Sequence, residues 1–245
     1  MRPLSALDIV RIWEWGQAQH PLDRALTILS VACPELSAEQ LVALPIGQRD
    51  AYLLGLRAQT FGAMLHGAAP CPQCAERLEL PIAVADLCVP LPPEAQTQLL
   101  ELVVDDCAVH FRLPNSADLA AIAGCVDVAM ARSLLVQRCV VQASQAGRAI
   151  LGGELPVAVL DQVVQRMAVS DPQAEVLLDL HCPTCGYAWQ LVFDIVEFLW
   201  SEICTQAQRM LRDVHTLARA YGWRESDILS MSALRRQFYL NMVLQ

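Results

Sequence analysis

Lysine is missing from this chain: all 17 basic side chains are arginine, set against 26 acidic ones, for a net charge of −9 over 245 residues. A strongly basic nucleic-acid binder is thereby excluded, because the summed field repels phosphate. Charge is scarce altogether, at 18% of residues where ~25% is usual. No stretch offers the ~20 apolar residues of a spanning helix. The best candidate, from Val126 to Val141, is interrupted by Asp127, Arg132 and Arg138. No apolar signal core precedes Asp8, so we expect no signal peptide, no membrane partner and a cytoplasmic protein. Catalytic signatures are missing too. No G-x-S-x-G elbow, P-loop or dinucleotide fingerprint occurs, and the five histidines are scattered at positions 20, 66, 110, 181 and 215. Asp105 and Asp106 form a carboxylate pair, but they precede a strand-like run and read as a solvated turn.

What the chain has is apolar surface. Residues of hydrophobic type make up 55%, and mean hydropathy is +0.36. Such a chain buries enough to offset ordering entropy, which rules out global disorder. Lysine is depleted and arginine enriched at protein interfaces. A lysine-free, apolar-rich surface therefore leads us to expect that part of it is covered by a partner.

Ten cysteines are present. Cys33, Cys88, Cys107, Cys125, Cys139 and Cys204 stand alone, mostly in apolar runs, and read as small core residues. The other four form two Cys-x-x-Cys pairs, Cys71/Cys74 and Cys182/Cys185. Each pair adjoins strand-like sequence: Arg77–Val84 after the first, Glu175–Leu180 before and Ala188–Phe193 after the second. Two such turns bring four thiolates to one tetrahedral Zn²⁺, the pattern of a zinc ribbon, here split by a long insertion. Gly186 follows the second pair; Ala75 stands in the corresponding place after the first. Redox pairs and incidental thiols are the alternatives, and His181 is a flanking candidate ligand. A Cys₄ site has no open position for water or substrate, so its metal would be structural.

Three catalytic or binding readings of these cysteines fit poorly. A zinc nucleoside deaminase needs H-x-E upstream of its P-C-x-x-C, and neither His20-Pro21-Leu22 nor His66-Gly67-Ala68 supplies it. A redox Cys-x-x-Cys sits at a helix N-terminus, whereas strand-like sequence follows both pairs. A nucleic-acid ribbon carries arginine near its knuckles, yet residues 168 to 207 contain none.

Along the chain, Ser5 should cap a helix through Gln17, with Leu7, Val10, Ile12, Trp13 and Trp15 inward. Pro21 opens a helix ended by Cys33-Pro34, and Ser37 starts a short one closed by Pro45. Ile46 to Leu65 reads as a longer helix whose polar face is Arg49, Asp50 and Arg57. Period two follows to Pro114, with a strand at Cys107–Leu113 and a loop at Pro90–Pro93. Residues 115 to 170 read as a helical insertion, with caps at Ser116 and Asp127, a third helix opened by Pro156 and a hinge at Gly152-Gly153. Asp194 caps a long helix to Tyr221, with a broad apolar stripe from Ile195 to Ala218 and Gly222 as its stop. A short turn and a final helix from Ser232 to Val243 follow. The expected organisation is 1–66 helical, 67–114 first knuckle and strands, 115–170 insertion, 171–195 second knuckle and strands, and 196–245 C-terminal helices.

Three stretches carry a family resemblance. They are His20-Pro21-Leu22-Asp23-Arg24-Ala25-Leu26; the run from Pro45 to Gly62 leading into Cys71-Pro72-Gln73-Cys74; and Asp194 through Glu202, continuing by Val214–Ala218, Tyr221-Gly222-Trp223 and Ile228–Ser232 to Arg235-Arg236 and Tyr239-Leu240. Together they resemble a zinc-knuckle protein of phage-tail-like contractile injection systems. They are more distantly similar to the T-even phage baseplate hub and hub-assembly proteins. The middle, 88 to 170, adds little. The resemblance implies a non-enzymatic assembly chaperone or minor structural part of a baseplate, with baseplate or tail proteins as partners and no small-molecule substrate.

The expected protein is thus α+β and mostly α-helical: a helical bundle with a split Cys₄ zinc-ribbon-like β-hairpin module. Cys71, Cys74, Cys182 and Cys185 would hold a structural Zn²⁺. Trp200, Trp223, Arg235, Arg236 and Tyr239 would form a docking surface, since Trp, Tyr and Arg suit interface anchors; a core role for the two tryptophans is the alternative. A zinc-dependent enzyme with an unrecognised site, or a regulatory zinc adaptor unrelated to tails, are the competing functions.

Overall fold

The computed structural model describes residues 1–89 and 99–243. The expected Pro90–Pro93 loop lies outside the described residues. The first four helices begin where short polar caps or prolines permit. In α1 (Ala6–Gly16), the Asp8 amide donates to Ser5 Oγ while the Ser5 amide donates back to the Asp8 carboxylate. Asp8 also holds Arg2. His20 Nδ1 accepts from Leu22 at the start of α2 (Pro21–Ala32). Ser37 and Gln40 make a second capping box for α3 (Ala38–Ala43). Then α4 (Ile46–Phe61) ends at Gly62, whose φ of +98° lies in a region few other residues tolerate.

The helix expected to reach Leu65 therefore stops four residues earlier, and Leu65 enters strand β1 (Met64–Pro70). β1 pairs antiparallel with β2 (Arg77–Ala83), which is followed by a single helical turn, α5 (Val84–Leu87). A second hairpin, β7 (Val176–His181) with β8 (Ala188–Phe193), leads into the long α9 (Ile195–Tyr221). Asp194 caps α9 by accepting from the amides of Val196 and Glu197, and Gly222 stops it in the left-handed region. Two short helices, α10 (Glu225–Ser230) and α11 (Ala233–Val243), complete the chain's described end.

Between the hairpins lies a second unit. A four-stranded antiparallel sheet is ordered β3 (Leu100–Val104), β4 (Cys107–Phe111), β5 (Val140–Gln145), β6 (Arg148–Ile150). The β3–β4 turn carries Asp105 at φ +51°, the tight solvated turn expected there. Helices α6 (Ser116–Ile122), α7 (Val128–Cys139) and α8 (Val157–Ser170) accompany the sheet. Segment 115–170 is thus not purely helical. β5 and β6 follow α7 without a break, and β5 is recruited by the unpaired edge of β4, a long-range pairing that local period does not report. The cap of α6 is Asn115 rather than Ser116, and Gly152-Gly153 forms a 3₁₀ turn against Val140 and Gln137 rather than a hinge.

Three apolar clusters form. The largest joins α1, α2, α4, the roots of both hairpins and the first half of α9, around Ile12, Ile28, Leu53, Leu56, Leu65, Leu199 and Ile203. The second lies between the four-stranded sheet and α7 and α8, around Val109, Phe111, Cys139 and Val163. The third packs α10 and α11 on the second half of α9. Val10 and Ile12 are buried on α1 as expected and Ile9 joins them, whereas Leu7 and Trp15, also expected inward, are exposed. Of the lone cysteines, Cys33, Cys107 and Cys139 are core residues as expected. Cys125 and Cys204 are half-buried and Cys88 is exposed.

The second unit is latched to the first at both of its ends. The Ile46 amide donates to Pro114 O, and the Gly47 amide donates to Asp171 Oδ2 at 2.9 Å. Gln173 reaches across to Leu87 O and Val89 N.

The largest departure from expectation concerns α4. Arg49 and Arg57 do not form a solvated face; they are 4% and 2% exposed. Arg57 Nη1 donates to Gly62 O and Met64 O, while Nε and Nη2 donate to both carboxylate oxygens of Glu202 on α9 at 2.9 and 2.7 Å. One guanidinium thus satisfies the carbonyls freed where helix becomes strand and fixes the base of the first hairpin to α9. Its planar fork suits the bidentate carboxylate and the two carbonyls at once.

Candidate metal centre

Each hairpin places its cysteine pair at its tip. In the first, Cys71 closes the end of β1: its amide donates to Glu76 O, and the Ala75 amide donates to Cys71 O. In the second, the Cys182 amide donates to Tyr187 O, and the Gly186 amide donates to Cys182 O. The two turns are the same structure made twice, and the residue after the second cysteine adopts positive φ in both, +59° at Ala75 and +74° at Gly186. The spacing signal in the sequence therefore reports a real equivalence, with alanine held in a conformation that glycine takes without strain.

The tips meet. Cys71 Sγ lies 3.6 Å from Cys185 Sγ, Cys74 Sγ lies 3.6 Å from Cys182 Sγ, and all four sulfurs are within 4.8 Å of one another. Cys71 and Cys182 are buried; Cys74 and Cys185 form the outer side. A disulfide needs ~2.05 Å, so these are not bonded pairs. A tetrahedral ion with Zn–S of ~2.3 Å implies sulfur separations of about 3.8 Å, close to those seen. Among the described residues no histidine or carboxylate belongs to the cluster; His181 sits exposed at the end of β7, outside it. No ladder joins one hairpin to the other, so the sulfurs are the meeting point of the two tips.

The electrostatics agree with a cation site. Backbone N–H groups of Cys185 and, after it, Thr184 hold the Cys182 thiol down at about 7, against the burial that opposes ionisation. At Cys74 the Glu76 amide pulls downward, but burial and the three neighbouring sulfurs push the thiol up to about 12. The cluster loses a first proton readily and resists losing them all, a resistance that a bound dication removes.

The expected docking residues do not share one surface. Trp200 is buried, seated over Gly16 with the Arg24 guanidinium 4.5 Å from its ring centre. It is a core residue, the alternative considered for it. Arg236 is buried as well and pairs with Asp213. Both therefore leave the exposed surface expected of them. Trp223 and Tyr239 are half-buried in an aromatic cluster with Tyr221, at ring separations of 4.4 to 5.8 Å. Arg235 is exposed and lies over Tyr239.

The sequence reading missed Arg57 with Glu202. They are 145 positions apart, and no spacing rule connects a lone arginine to a lone glutamate at that distance.

These features define a mostly helical α+β protein whose assembled donor cluster, among the described residues, is a set of four thiols. A model of the family described as T4 bacteriophage base plate protein matches residues 23–200, and the chain belongs to that family. The match contains both cysteine pairs and Arg57; Glu202 lies two residues beyond its end. No curated protein and no solved structure matches the chain. No described helix is long and apolar enough to cross a membrane.

Proposed function

We propose that this chain is a non-enzymatic component of a contractile-tail baseplate, acting as an assembly factor or minor structural part, and that a structural Zn²⁺ held by Cys71, Cys74, Cys182 and Cys185 keeps it in its binding shape. The family match over residues 23–200 carries the reading. The thiol cluster supports its second half, because four cysteines complete a tetrahedron and leave no place for a reacting water. The metal would act as a cross-link closing a loop of more than a hundred residues. In the loop-closure picture such a cross-link removes about 4–5 kcal/mol of unfolded-chain entropy. Its partners would be other baseplate or tail proteins, met in the cytoplasm before or during assembly.

The test is fractionation of the native producer with a tagged chain. An assembly factor is found with tail proteins in the soluble pool and is missing from finished particles. A structural part is found in particles at fixed stoichiometry. Recovery with no tail protein in either fraction refutes the reading.

A further inference from the structure

A groove of about 790 Å³ opens where the start of α1 meets the α10–α11 corner and the middle of α9. Its walls include Leu7, Phe61, Met210 and Met231, and Leu7 is exposed. Its charged lining residues are Arg209, Asp213 and Arg236. Arg236 is only 7% exposed. Its Nε donates to Asp213 at 3.2 Å, but its Nη1 is buried with no partner, the one such side-chain nitrogen or oxygen among the described residues. A buried donor left unsatisfied is costly, more so when charged, and a guanidinium fork is built to hold a carboxylate.

The wider field points the same way. Residues 206–245 carry six arginines against three acidic residues, an excess of three positive charges in a chain whose net charge is −9. The groove includes Ser232 and Ala233 at the start of α11, where first-turn amides add positive potential. Most of its lining falls outside the stretch matched to the family.

We propose that this groove docks a linear segment of a partner tail protein, its apolar residues against Leu7, Phe61, Met210 and Met231, and an aspartate or glutamate accepting from Arg236. Who the partner is rests on the baseplate reading; the chemistry of the groove does not. The complementarity is between a positive, partly apolar groove and an acidic, partly apolar peptide, a pairing in which charge selects and apolar contact holds.

An array of overlapping fifteen-residue peptides from the tail proteins of the native producer, probed with the intact labelled chain, tests this. Bound peptides should contain aspartate or glutamate beside apolar residues, and converting that acid to its amide should weaken binding at least tenfold. Arg236→Gln should lose the same peptides. Leu7→Glu, at an exposed position where folding is not at stake, should lose them through repulsion and lost contact. The absence of any bound peptide, binding indifferent to the acid, or wild-type binding by Leu7→Glu overturns the proposal. If the array fails while the chain still co-purifies with tail proteins, the groove assignment falls and the baseplate reading stands. If acid-dependent binding occurs but no tail protein accompanies the chain in the cell, the reverse holds.

Discussion

Cys71 and Cys185 bring their sulfur atoms to 3.6 Å although 114 positions separate them in the chain. The two hairpins that carry them adjoin the end of α4 and the start of α9, and those two helices are fixed to each other by Arg57 and Glu202. The thiols join the tips, and the ion pair ties the base of the first hairpin to α9, the helix into which the second hairpin leads.

If the tips share one ion, the purified chain should contain one Zn²⁺, and Cys182→Ser should lose it. The loss of stability should reach about 4 kcal/mol, the loop-closure share of the cross-link. Elemental mass spectrometry together with thermal melts with and without a chelator gives both quantities. A chain free of metal that melts at the same temperature with added zinc would falsify the assignment.

The two knuckles differ in one residue of consequence. Ala75 sits at φ +59° where its counterpart is Gly186, and nothing lies within 4 Å of where a Cβ on Gly186 would be. Only backbone strain then distinguishes the two. Ala75→Gly should stabilise by about 0.5–1 kcal/mol, and Gly186→Ala should destabilise by about 1 kcal/mol. Urea denaturation of the two variants against the parent reads the difference in midpoint.

Arg57 is the more expensive residue to remove. Arg57→Ala leaves two carbonyls and a partly buried Glu202 without their donor and should cost about 3–5 kcal/mol. Glu202→Gln keeps a hydrogen-bond acceptor and should cost less. In a double-mutant cycle the pair should couple by more than about 1 kcal/mol. Additive losses in denaturant melts would show that the two residues act independently.

Two carboxylates give opposite pH dependence. Burial, opposed by Arg49 and reinforced by Asp194 and Asp171, pushes Asp50 up to about 6. Its folded form therefore holds a proton that the unfolded chain has released, and stability contributed by that proton is lost as pH rises from about 4 through 6. Asp50→Asn should flatten this window. At Asp8, burial works upward but is outweighed by Arg2 and Ser5, which bring the carboxyl down to about 2. Its contribution is present above about 4 and lost as pH falls through 2, so Asp8→Asn should cost about 1 kcal/mol at neutral pH, discounted for the exposed Arg2. Chemical denaturation from pH 3 to 8 separates the two, and a parallel shift of both variants at every pH would contradict this assignment.

Much of this protein was legible in one dimension because the signals are local. Capping by Ser5, Ser37, Asp127 and Asp194, the opening prolines at 21 and 156, and the Gly222 stop each depend on a few neighbouring residues. The two Cys-x-x-Cys turns are equally local, and the expectation that they meet agrees with the four sulfurs lying within 4.8 Å of one another. What lay beyond the sequence were the pairings made across a hundred residues or more. The polar face of α4 is legible in the sequence, but not that Arg57 is buried, because its partner, Glu202, has no local signature. The strands of 140–150 were read as helix because an edge of β4 recruits them. For Trp200 the sequence leaves surface and core roles both open, because nothing nearby in sequence announces that Gly16 leaves room for it. Local propensity determined where elements start and stop; the tertiary structure alone decided which charges are buried and which polar atom stays unsatisfied, because burial depends on residues the chain brings together only on folding.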